Sequence, residues 1–148
     1  MRTDLYIDVQ GRALTAGPRT SAAAVVGPWY RGDTVALGLF PLARTGNQWS
    51  PFVIFSGALY AVTVRLVSNN VTLATSSAWP WGSDYPDAPV ENYDRWDGKL
   101  LLAGAEVEAA LAPTGEAACL LEIELAKAGE FFTVAQHAVA LKKDYITH

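Results

Sequence analysis

Period-two alternation over residues 117–142 limits what this chain can fold into more than any other feature. In "ACLLEIEL", Cys119, Leu121, Ile123 and Leu125 fall on one side, with Glu122 and Glu124 on the other. "AKAGE" supplies a turn centred on Gly129, and "FFTVAQHAVALK" is a second long strand. Successive strand side chains point to opposite faces, so this pattern is a hairpin with one dry side and one partly wet side. Such a hairpin must bury its apolar face against something else.

The same period recurs upstream. In "DLYIDV", Leu5, Ile7 and Val9 alternate with Tyr6 and Asp8; in "DTVALGLF", Val35, Leu37 and Leu39 share a face opposite Thr34, Ala36, Gly38 and Phe40. "ALYAVTVRLV" sets Tyr60, Val62, Val64 and Leu66 against Thr63 and Arg65, and Asn69-Asn70 then turns the chain into "VTLATS". Residues 58–75 therefore read as another hairpin. Only "AGAEVEAALAPTG" breaks the period: helix formers lie between Gly104 and Pro113, predicting a short helix over 105–111 that cannot stand alone. Many short strands with one crossover helix predict an all-β fold, an antiparallel β-sandwich. Two regions are expected, an N-terminal strand or arm over 1–28 and a β-sandwich domain over 29–148. The arm, small and Pro-bounded in "TAGPRTSAAAVVGP", either adds as a strand to a neighbour's open sheet edge or is an edge strand of its own domain.

The chain has 148 residues, enough for one core. Only 18% are charged, against about 25% in an average soluble domain. That apolar excess reads either as surface covered by a partner or by copies of the chain, or only as a chain rich in Ala and Val. The net charge of −4 lies wholly in Trp79–Asp97, which holds five acids and one base; the remainder is neutral. No stretch concentrates Lys and Arg, so no nucleic-acid partner is expected. No apolar run approaches the roughly 18 residues of a membrane span, and Asp4, Asp8 and Arg12 interrupt any leader-like core. The expectation is a chain made in a cytoplasm, with no membrane insertion. Cys119 stands alone, which excludes an intrachain disulfide scaffold.

Catalytic chemistry finds little footing. His137 is the only internal histidine and has no acid beside it in sequence, so it reads as a half-exposed strand residue. Cys119 falls on an apolar face. No G-x-S-x-G, P-loop or H-E-x-x-H occurs, and no ligand spacing for zinc. No enzyme, cofactor or metal is expected. "WPWGSDYPDAPVENYDRW" (79–96) is the one loop with binding potential. Its acids, Asp84, Asp87, Glu91 and Asp94, with Asp97 following, do not match a calcium loop, and Pro86 and Pro89 hold them apart. Its rings, Trp79, Trp81, Tyr85, Tyr93 and Trp96, are the candidate partner or glycan contacts, since sugars stack on exposed aromatic faces. The competing reading makes them anchors that pin the connection to the sheet. Arg31-Gly32-Asp33 reads as a turn running into the strand "TVALGLF".

Three phrases occur in order: "YRGDTVALGLFPL", "GALYAVTVRLVSNN" and the long close that begins "WDGKLLLAGAEVEAALAPTG". That close ends in a hairpin with Thr133, Gln136, Val139, Leu141, Asp144 and Ile146 at its marked positions. Over about residues 29–146 this order resembles the small immunoglobulin-like modules of tailed-bacteriophage virion proteins, and is similar to N-terminal domains of baseplate upper and tail-fibre proteins. The resemblance implies an immunoglobulin-like sandwich and a structural, non-catalytic virion subunit, with copies of itself and other virion proteins as partners. Two departures, the end at His148 and the long acidic aromatic loop, favour a tail or baseplate adaptor or a capsid decoration protein over a fibre. The alternative function is a carbohydrate-binding module that reads host-surface glycan through the loop 79–97.

Overall fold

The computed structural model describes residues 2–17, 20, 22–45, 48–51, 60–82 and 95–143. It is an all-β sandwich of two packed sheets with one short helix, as the alternation predicts. The first sheet runs β2 (Ala13–Thr15), β1 (Arg2–Asp8), β4 (Thr34–Thr45), β9 (Arg95–Leu101) and β8 (Trp81–Gly82), with β5 (Gln48–Pro51) also paired to β4. The second runs β3 (Trp29–Tyr30), β11 (Glu130–Lys142), β10 (Glu116–Lys127), β6 (Ala61–Ser68) and β7 (Val71–Ser76). The helix α1 spans Ala105–Leu111, the span the sequence predicts.

Both predicted hairpins form. β6 and β7 join through Asn69 and Asn70, which both take positive φ, the backbone a two-residue turn needs to match strand twist. β10 and β11 join the same way through Ala128 and Gly129. Their register slips by one residue between Ile123 and Glu124, leaving Val134 as an extra residue on β11. Val134 and Ala135 are consequently both buried.

The core lies between the sheets. Leu37 and Leu39 of β4 meet Val62, Val64 and Leu66 of β6, with Leu121, Ile123 and Leu125 of β10 beside them. Val107 and Leu111 seal one end from α1, which has no side-chain cap and holds its place by these two residues.

The N-terminal residues lie in the same sandwich. β1 sits between β2 and β4, and its Leu5 and Ile7 belong to the common core together with Leu14 and Val26. Ala23 bridges Thr15 at the edge of the first sheet, and Trp29 and Tyr30 then pair with Leu141 and Lys142 at the edge of the second. Residues 22–30 thus cross from one sheet to the other and close that side. Within this single chain the segment pairs with strands of its own domain. Two pairings, β1 with β4 and β3 with β11, are parallel where an antiparallel sandwich was expected. Each joins strands that are distant enough in sequence for the crossover a parallel pair requires.

The first sheet also departs from the expected one-wet-face pattern. Tyr6, Phe40 and Leu42 point away from the core and are nonetheless buried. Phe40 stacks on its register partner Tyr6, with ring centroids 5.3 Å apart. The run "GLFPL" is apolar at both parities, which is how a strand buried on both faces reads.

Candidate functional site

The two ends of the aromatic-acidic connection meet at β9. Residues of β1, β4 and β9 form rows across the outer face of the first sheet. Gly38 of β4 is the register partner of both Asp4 on β1 and Asp97 on β9. In the next row lie Tyr6, Phe40 and Arg95. Because Gly38 has no side chain, the Arg95 stem can lie over the sheet: a Cβ at Gly38 would fall 3.5 Å from the Arg95 Cδ and 2.8 Å from Asp4 Oδ1. The Arg95 guanidinium sits 5.6 Å from the Phe40 ring centroid. Its Nε lies 3.0 Å from Asp97 Oδ1, an ionic contact outside hydrogen-bond geometry. Arg95 is only 2% exposed. A charge buried to that degree is retained only with partners, because desolvating an ion is costly. The cation that begins β9 is therefore built into the sheet, and with Asp97 it fixes where the connection returns.

Trp96 follows Arg95 with opposite parity and enters the core with zero exposure. Trp79 is 7% exposed, and its Nε1 donates to the Ser76 carbonyl at 2.9 Å. Its ring lies flat against Gly98: a Cβ there would come within 2.5 Å of it. Pro80 accepts from the Asp97 N–H but has no N–H to return, and this ends the β8–β9 ladder. The chain crosses here from β7 to β8, and Trp79 fills the gap between the sheets. Neither Trp79 nor Trp96 offers the exposed ring face that stacking on a sugar or a partner requires; both faces are taken by the protein itself. Trp81 pairs with Trp96 across β8 and β9. Tyr85 and Tyr93 lie outside the described residues, as do Asp84, Asp87, Glu91 and Asp94.

Beside this crossing is a shallow groove of about 510 Å³ lined by Ala36, Leu37, Ala78 and Pro80, with Asp97 and Lys99 at its rim. Its walls suit packing against an apolar surface more than hydrogen bonding to hydroxyls.

The other singled-out residues are held by the fold. His137 is half-buried in β11 opposite Leu121. Cys119 is buried, and burial pushes its thiol above the ordinary value, partly offset by hydrogen bonds involving Ser68 and the Leu141 backbone. Arg31-Gly32-Asp33 is a turn tied inward: Gly32 N–H donates to the Leu102 carbonyl at 2.7 Å, and Arg31 pairs with Glu108 of α1 at 3.1 Å. Among the described residues no group of three or more His, Cys, Asp or Glu could hold a metal ion. Among them too, no helix is long and apolar enough to cross a membrane. The row Asp4–Gly38–Asp97 escaped the sequence reading. The available signal was the glycine inside an otherwise apolar strand, which marks close approach of another group.

Compared with known proteins, the chain matches no family model and no curated protein.

Proposed function

We propose that this chain is a structural, non-catalytic virion subunit of a tailed bacteriophage, a tail or baseplate adaptor or a decoration protein, made in the host cytoplasm and working in the particle. The observation that carries the assembly part is the surface. Among the described residues, Val25, Val71, Leu101, Leu120 and Phe131 are large apolar side chains left exposed outside the buried core cluster. Exposed apolar surface of this kind is what contact with other subunits can cover. The phage part rests on the resemblance of the segments over 29–146.

Buried Trp79 and Trp96 turn the candidate binding loop into a connection clamped at both ends, which weighs against the carbohydrate-binding alternative. A mass-spectrometric inventory of purified phage particles tests the reading. The chain is expected at a stoichiometric copy number; its absence from intact particles overturns the virion assignment. On a broad glycan array the protein is expected to give no saturable signal.

A further inference from the structure

Each end of the β10–β11 hairpin sets one acid opposite one base. Glu116 opens β10 opposite Lys142, which closes β11 and is followed by Lys143. At the tip, Lys127 closes β10 opposite Glu130, which opens β11. Both strands therefore run from acid to base. Twelve residues of β10, about 40 Å of strand, separate the two ends. A second copy set end to end in the same orientation brings Lys127 to the Glu116 of the next copy, and Glu130 to its Lys142.

Shape follows the charges. The tip presents Phe131, 69% exposed. At the opposite end, α1 and the β6–β7 hairpin enclose a groove of about 450 Å³. Its apolar lining includes Val71, Leu73, Ala110 and Pro113, and its charged lining residues are Glu106 and Glu116. Val71 is itself 47% exposed. An aromatic side chain buries roughly 150–250 Å² when it docks, and anchors of this type dominate interface energetics.

We propose that the chain self-associates head to tail, the β10–β11 tip of one copy docking with Phe131 and Lys127 in the α1/β6–β7 groove of the next. This rests on the assembly reading above and names its surfaces. The contact is heterologous, so repetition gives a ring if the rotation closes and a filament if it does not.

The test pairs a tip variant, Phe131→Glu, with a groove variant, Val71→Arg, in sedimentation velocity over a hundredfold concentration range. Glu116→Lys replaces Val71→Arg should circular dichroism show that variant misfolded. The wild type is expected to grow in mass with concentration, and each variant alone to remain monomeric. Mixed in equal amounts, the two should form a dimer and stop there, because each retains only one working end. Wild-type oligomers that persist in both variants overturn the head-to-tail contact and leave the assembly reading standing. A wild-type monomer throughout overturns the contact, and the particle inventory then decides the virion reading on its own.

Discussion

Trp79 and Gly98 meet where the chain crosses between the sheets. The ring occupies the space a Cβ would need, so Gly98→Ala must displace either the indole or β9. Overpacking of this kind costs roughly 1–3 kcal/mol. Trp79→Ala removes the plug and should cost about 3–5 kcal/mol. Both losses are read from urea denaturation midpoints, and a Gly98→Ala protein as stable as wild type would mean that Trp79 is not clamped. Cys119 gives a pH signature. Its thiol is held protonated in the folded state by burial, so the folded protein binds that proton more tightly than the unfolded chain. The contribution is complete below the ordinary thiol pKa and is lost as pH rises from there through the raised pKa of the folded state. Stability of the wild type should therefore fall over the alkaline limb, and Cys119→Ala should flatten that fall. Alkylation of Cys119 at pH 8 should be slow until the protein is unfolded.

At the scale of elements, the two hairpin turns differ in how well their residues suit them. Asn69 and Asn70 tolerate positive φ, whereas Ala128, at φ 52°, does so at a steric cost. Ala128→Gly should relieve it and stabilise by up to about 1 kcal/mol, raising Tm by about 2–4 °C. A lower Tm would show that the turn is not strained at this position. The hairpins and α1 were legible in the sequence because strict period two and a Gly–Pro-bounded helical run are local signals. The parallel pairings of β1 and β3 were not, because they depend on where an edge strand lands after the chain crosses between sheets. The burial of Tyr6, Phe40 and Arg95 on the outer face was missed for a related reason. A lone Arg in an acidic loop looks solvated until the neighbouring strands place Phe40 beneath it and Asp97 beside it. Among the candidate contact residues, Trp79 and Trp96 are buried, and the adjoining proline and strand were the local signal for the competing, anchoring reading.

Over the whole molecule, the apolar excess of the composition divides in two. Among the described residues, one part fills the core between the sheets and the second buried layer around Phe40. The other part stays on the surface, at Val25, Val71, Leu101, Leu120 and Phe131. Those side chains lie outside the buried core, and contact with other subunits is the proposed means of covering them. Light scattering on the purified chain measures this most directly. A mass above that of the 15.9 kDa monomer, rising or saturating with concentration, is expected. A mass that stays at one chain up to the highest soluble concentration would contradict self-assembly.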